Sequence, residues 1–255
     1  MTSPRELLES WERQQTAYVQ FRESRTLCLL ETISQSCGGD DARITVLDIG
    51  CGPGSLTNAV LQRFANAQVV AVDVDPVLLR LLRETTPYLD RITIVDADLR
   101  DPDIADRLPG GCDAAISATA LHWLQPAALV DAYRAIAQAL RPGGLMLNAD
   151  HLLFDATALP ELRQLCIDQR ERVFDEAVAS GARSWDDWWV DALSMPGWEA
   201  EVQEYHRRWQ GRTPARKVDT QFHLAAMRAA GFGETATIWQ WLDDCVVYGR
   251  MPAES

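Results

Sequence analysis

Between Ile44 and Ala149, five short apolar runs alternate with segments whose apolar residues recur at helical spacing, and no other feature of the chain restricts its fold so strongly. The runs are ITVLDI (44–49), AQVVAVD (67–73), RITIVDA (91–97), CDAAIS (112–117) and GLMLNA (144–149); helical periods lie at 56–64, 76–83, around Ile104 and at 127–140. Because these runs are apolar throughout rather than at every second position, both faces of each strand must be covered. That is the condition of a parallel sheet wrapped by crossover helices. Asp75-Pro76 reads as an N-cap followed by proline at the first helical position, and Arg141-Pro142-Gly143-Gly144 as a helix stop. Further on, TATIWQW (235–241) and CVVYG (245–249) are joined by Leu242-Asp243-Asp244, a connection that can join only antiparallel strands.

Three units are expected. Residues 1–40 form an N-terminal helical cap, residues 41–150 and 216–255 the α/β core, and residues 151–215, helical in period and rich in tryptophan, an inserted helical cap. Trp185, Trp188 and Trp189 recur at helical spacing and either form the core of that cap or line an apolar or aromatic substrate pocket.

Charge and cysteine usage narrow the partners. The formal net charge is −13, which argues against a protein that holds a phosphate backbone. The six cysteines are scattered without a C-x-x-C pair, so neither a disulfide framework nor a metal site is expected. No apolar run is long enough to span a bilayer and no signal peptide is legible at the N-terminus, so the expectation is a cytoplasmic protein with neither a membrane nor a nucleic-acid partner. The oligomeric state is not legible.

The first strand runs directly into Asp48-Ile49-Gly50-Cys51-Gly52-Pro53-Gly54-Ser55, after which a helix begins. Such a strand, glycine turn and helix lets a ligand approach the backbone closely. The second strand ends at Asp73, where a carboxylate can accept from both hydroxyls of a ribose. Serine stands where a dinucleotide-binding loop would carry its third glycine, so a phosphate-free adenosine ligand fits better than NAD. Cys51 suits the tight turn as a small packing residue.

With these motifs in view, the chain resembles the class I S-adenosylmethionine-dependent methyltransferases over about residues 44–150 and the final hairpin. VLDIGCGPGSLT, VVAVDVDPVLL, VDADL, CDAAISATALHWL and LRPGGLML are similar to the five motifs of that family, in order. The resemblance implies a Rossmann-like fold with a mostly parallel seven-stranded sheet, a C-terminal antiparallel hairpin, N-terminal helices and an inserted cap. It implies S-adenosyl-L-methionine as cofactor and S-adenosyl-L-homocysteine as product. Gly50, Cys51, Gly52 and Gly54 would lie along the methionine half, with Asp48 orienting the loop or reaching the ammonium through water. Asp73 would take the ribose diol, Val74 and Leu99 would cover the two adenine faces, Asp98 would accept the adenine amino group, and Ser117 and Ala118 would face the methyl group.

Outside the motifs, WERQQTAYVQFRESR and the C-terminal tail are similar to bacterial small-molecule methyltransferases, and the VDADL to ALHWL stretch is similar to the trans-aconitate methyltransferases. A methyltransferase acting on a small acceptor, apolar or aromatic in part and in secondary metabolism, is therefore expected. A cyclisation or rearrangement in the same pocket and a non-catalytic partner subunit are the alternatives. His122 and His151, which follow the fourth and fifth strands, are the candidate bases, each weighed against a structural role. Tyr18 and Arg22 either cap the cofactor carboxylate or belong to helices packed on the sheet.

Overall fold

The computed structural model describes residues 2–253. Seven strands form one sheet: β1 (Thr45–Ile49), β2 (Gln68–Asp73), β3 (Ile92–Asp96), β4 (Cys112–Ala118), β5 (Leu140–His151), β6 (Glu234–Trp241) and β7 (Asp244–Arg250). Their order is β3-β2-β1-β4-β5-β7-β6, with β1 to β5 parallel and β7 antiparallel to both neighbours. The sequence predicts the hairpin but not that its second strand slides between β5 and β6.

Among the described residues, ten α-helices cover the sheet and its edge: α1 (Pro4–Tyr18), α2 (Arg22–Cys37), α3 (Ser55–Arg63), α4 (Pro76–Thr85), α5 (Ile104–Arg107), α6 (Pro126–Ala139), α7 (Pro160–Ala179), α8 (Trp185–Leu193), α9 (Glu199–Trp209) and α10 (Thr220–Ala229). Alternate residues of the strands face opposite helical layers. Leu47, Ile49, Val70, Val72, Ala115 and Met146 pack in the cluster that includes α6 and α10, whereas Val46, Val69, Ala71, Ile116 and Leu147 pack in the cluster that includes α2 and α3. Since each side chain on these strands must be buried on one face or the other, no polar alternation survives.

A third cluster joins the cap to the core. Leu7 and Trp11 of α1 and Val77, Leu78 and Leu81 of α4 enclose Trp188, Ala192, Met195 and Trp198. Helix α4 therefore buries two faces, Leu79 and Leu82 toward the sheet and its other leucines toward the cap. The first 37 residues are not one cap: α1 belongs with α8 and α9, while Leu29, Leu30 and Ile33 of α2 pack on the sheet. The break between them, Val19–Phe21, is where the chain changes layer.

The chain crosses from β1 to β2 and β3 on one side and to β4 and β5 on the other. The C-terminal ends of β1 and β4 thus flank a switch point, the place where open sheets of this kind leave a ligand crevice.

Candidate active site

At the end of β1 the backbone enters the left-handed region three times, at Gly50 (φ 69°), Gly52 (φ 54°) and Gly54 (φ 90°). Side-chain room explains two of these glycines. A Cβ on Gly50 would come within 2.3 Å of Ala120 Cβ, and one on Gly54 within 2.3 Å of Leu82 Cδ1. Gly52 is different, since a Cβ there would meet only Leu78 and Trp11 near 4 Å, leaving its face of the loop open. Backbone N–H groups of Gly50 and Cys51 donate to Val72 O, which ties the loop to β2.

Asp48 is buried beneath this loop and accepts from Thr57 Oγ1 at 2.5 Å. Burial pushes its carboxyl up to about 7, so it braces β1 against α3 from the inside. Burial likewise raises the Cys51 thiol and the Asp73 carboxyl, in the latter case against the backbone N–H groups that it accepts. Asp73 Oδ2 takes Gly52 N at 2.7 Å and Oδ1 takes Asp75 N at 2.8 Å. Each oxygen keeps one lone-pair direction, which is what a ribose diol requires.

The ends of β2 and β3 are more heavily furnished than the sequence suggests. Val74 and Leu99 are half-buried at the ends of β2 and β3. Asp98 accepts from Arg100 N, Nε and Nη2 and from Arg212 Nη2 at 2.9 Å. Burial would raise its carboxyl, but the Arg100 hydrogen bonds and the charges of Arg100 and Arg212 hold it below the usual range.

Across the switch point, β4 ends at Ala118 and Thr119 follows with φ 51°, a strained value for a β-branched residue. Ser117 is fully buried on the α6 and α10 face beside Asn148, while Ala118 packs toward the opposite face. The turn Leu121–Trp123 then presents His122, whose Nδ1 lies 2.7 Å from Asp150 Oδ1. Burial alone would push Asp150 up; the charge and hydrogen bond of His122, with Arg25 and His151 behind them, bring it down to about 2. An ionised Asp150 accepts Nδ1–H, which leaves Nε2 as the ring nitrogen directed away from it.

His151 occupies a neighbouring corner. Its Nδ1 lies 3.6 Å from Asp243 Oδ1, and Asp243 also receives Arg170 of α7. A small cavity there is lined by Tyr18, His151, Arg170 and Trp241, among others. Beside it, Arg25 and Asp244 form an ion pair at 2.8 Å with both side chains almost fully buried. Tyr18 stacks on Phe174 and meets Trp185 edge-on, which places it at this cavity. Arg22 is held by Glu12, and the other Glu12 oxygen accepts from Ser55 Oγ at the start of α3, so Arg22 stands one residue away from the glycine loop.

The tryptophans differ in burial and in what they touch. Trp188 is fully buried and donates Nε1–H to Leu7 O at 3.1 Å, as a core residue does. Trp185 is half-buried against the cluster that contains Trp188, 5.8 Å from the ring of Trp11, and also lies 6.5 Å from the ring of Trp123, which is half-exposed beside His122. Sequence reading missed Asp150, Glu12, Trp209 and Arg212, whose importance comes from contacts 28 or more residues distant in the chain. Among the described residues, no group of acidic, histidine or cysteine side chains is arranged to hold a metal, and no helix is long and apolar enough to cross a membrane.

Comparison with known proteins agrees with this fold. Residues 46–144 match a family model described as a methyltransferase domain. A malonyl-[acyl-carrier protein] O-methyltransferase of Xylella fastidiosa is 32% identical over 49% of this chain and 40% of its own length. A trans-aconitate 2-methyltransferase of Azoarcus is 30% identical over 54% of this chain and 50% of its own length. The matched stretch thus spans half or less of these curated relatives. Among solved structures, an O-methyltransferase family protein from Burkholderia thailandensis superposes with a TM-score of 0.58 at 18% identity, covering 90% of this chain and 57% of that one. Human N-acetylserotonin methyltransferase in complex with SAM gives a TM-score of 0.55 at 15% identity, covering 96% and 57%. At such identities the two structures establish the shared fold.

Proposed function

Residues 46–144 are a class I S-adenosylmethionine-dependent methyltransferase domain, and from that premise we propose that this chain transfers the methyl group of that cofactor to a small-molecule acceptor, with His122 as the base. The observation that carries the reading is the arrangement along one sheet edge: the open face of Gly52 and the half-satisfied Asp73 on one side of the switch point, His122 on ionised Asp150 on the other.

The cofactor, when bound, supplies an electrophilic methyl carried on a sulfonium. Gly50, Gly52 and Gly54 would hold its methionine half against the backbone, with Arg22 at the carboxylate end. Asp73 would take the ribose diol through its two remaining lone pairs, Val74 and Leu99 would flank the adenine, and Asp98 would serve its amino group. Ala118 and the end of β4 would lie beside the transferred group. Asp48 and Cys51 act from beneath, keeping the loop in shape. His122 Nε2 takes the acceptor proton, while Asp150 holds the imidazole in the tautomer that leaves Nε2 free and stabilises the imidazolium that results. His151 is the second candidate, at the neighbouring cavity.

The acceptor enters between the core and the cap, where Trp123, Trp185 and Tyr18 present rings. These favour a molecule aromatic or apolar in part, and the rings exclude water from the reacting groups. The relatives' names, malonyl-[acyl-carrier protein] and trans-aconitate, both denote carboxylates, the first borne on a carrier protein, so carboxylate acceptors belong beside phenols in the test. We place the activity in a cytoplasmic biosynthetic step of secondary metabolism, with neither a nucleic-acid nor a membrane partner.

Two measurements check the reading. Calorimetry with S-adenosyl-L-homocysteine is expected to give micromolar binding, weakened by Asp73→Ala on the order of 1.5 to 3 kcal/mol through loss of charge-assisted hydrogen bonds. Transfer of labelled methyl to a panel of phenols and small carboxylic acids then identifies the acceptor class. Absence of homocysteine-product binding, or tight NAD binding in its place, overturns the cofactor; binding without transfer to any acceptor leaves the rearrangement or partner-subunit alternatives standing.

A further inference from the structure

We propose that Trp209, braced by Arg208 and Arg212, is the outer wall of the adenosine pocket, so that the last turn of cap helix α9 is part of the cofactor site. The inference rests on the cofactor reading above and adds to it residues that lie more than 100 positions beyond the adenosine motifs.

The placement is set by two separate contacts. Trp209 Nε1 donates to Asp75 Oδ2 at 3.0 Å, immediately beyond the end of β2. The same indole lies 6.3 Å from the ring of Trp123, which follows β4. In the order β3-β2-β1-β4, the Trp209–Trp123 pair therefore joins the segment after β2 to the segment after β4, the two strands that flank β1 and its glycine loop. A ligand lying across these strand ends has the sheet on one side and this indole on the other.

The neighbouring arginines fix the ring in that position. Arg208 donates Nη1–H to Val74 O at 2.8 Å and pairs with both oxygens of Asp96, so it grips the ends of β2 and β3 together. Its other face is taken by Glu204 of its own helix. Arg212 stacks 4.4 Å from the Trp209 ring while donating to Asp98, the residue placed at the adenine amino group. Behind them, Arg80 of α4 pairs with Glu201, and the third hydrophobic cluster holds α8 and the start of α9 on α4. A surface helix that served only to fill space would have no reason to direct an indole N–H and two guanidinium groups at the acidic residues of these two strand ends. The arrangement instead suits an aromatic face held at fixed distance from a nucleobase, with the surrounding carboxylates neutralised.

The test measures cofactor affinity rather than turnover. Calorimetric dissociation constants for S-adenosyl-L-homocysteine and for adenosine alone are compared between the full chain, Trp209→Ala and the Arg208→Gln/Arg212→Gln pair. An aromatic contact to a base corresponds to about five- to 150-fold in affinity, so Trp209→Ala is expected to weaken both ligands by tenfold or more and by the same factor. The arginine pair, which leaves the ring present but unbraced, is expected to weaken both about fivefold. Unaltered thermal unfolding of the variants establishes that the effect is local.

Folded variants that bind both ligands within twofold of the wild type overturn the proposal, as does a loss confined to S-adenosyl-L-homocysteine, which would move the ring to the methionine half. A wild-type chain that binds neither ligand overturns the cofactor reading instead. If Trp209→Ala does not fold, the arginine pair decides by the same criteria.

Discussion

Gly50→Ala isolates the geometry on which the loop depends. The substitution asks L-alanine to adopt φ 69°, which costs about 1–2 kcal/mol. It also places a methyl 2.3 Å from Ala120 Cβ, an atom fixed directly to the backbone that no rotamer change can move away. Relief requires a backbone shift of more than 1 Å in a packed region, typically about 1–3 kcal/mol. The lower entropy of the unfolded alanine variant offsets about 0.4–1 kcal/mol, leaving a net loss of about 2–4 kcal/mol. Gly181→Ala provides the reference, because Gly181 has φ 99° with nothing within 4 Å of the added carbon, so only backbone strain acts there. Urea unfolding at neutral pH measures both. Adding Ala120→Gly to Gly50→Ala removes the collision and keeps the strain, so the double-mutant cycle should show a favourable coupling of about 1–3 kcal/mol. A Gly50→Ala cost no greater than that of Gly181→Ala, or a cycle without coupling, would refute a collision at Ala120.

His122→Gln is expected to lower turnover by about 10²- to 10⁴-fold with homocysteine-product affinity unchanged, and Asp150→Asn to lower it in the same direction; equal turnover across pH in both variants would show that alignment and desolvation carry the rate. Trp188→Ala should cost about 3–5 kcal/mol by urea unfolding, whereas Trp185→Ala should cost less and instead change the acceptor KM. His223, buried against Tyr133, is pushed down to about 4 by burial, so between about 6.5 and 4 the unfolded chain binds a proton that the folded chain does not. It therefore removes stability as pH falls through that window, at about 1.4 kcal/mol per pH unit. Asp48 and Asp75, raised to about 7 chiefly by burial, act with the opposite sign, because the folded chain keeps their protons while the unfolded chain loses them. The wild type therefore masks the effect, and the quantity to follow is its unfolding free energy minus that of His223→Gln, which should fall by about 2 kcal/mol between pH 6.5 and 5.

The parallel sheet was legible because burial on both faces forces apolar residues into every strand position, a signal that stays within each segment. The positions of Gly50, Gly52, Gly54 and Asp73 were legible for a related reason, since the backbone conformation at the end of β1 admits little but glycine and the acid lies at the end of the next strand. The neighbour that β7 chooses was not legible: its pattern shows that it pairs with β6, yet whether it enters between β5 and β6 depends on the edge that β5 offers.

The polar partners at the reacting end were hidden by the same physics that revealed the sheet. On β5, Met146, Asn148 and Asp150 share the face toward α6 and α10, and in sequence they read as the tail of an apolar run. A carboxylate there is tolerable only if a donor satisfies it, and that donor, the Nδ1–H of His122, is 28 residues earlier on a turn with no periodicity of its own. Arg208 and Arg212 are likewise unremarkable as cations near a helix end until α9 is seen to stop over Asp96 and Asp98. In each case one buried or half-buried acid is uninformative alone, and the pair becomes informative only when the fold supplies the distance. A carboxylate buried near the C-terminal end of a parallel strand is therefore a residue from which to search outward for a distant donor or cation. Where no cation among the described residues pairs with it, as at Asp48 and Asp75, burial pushes the carboxyl up to about 7 instead.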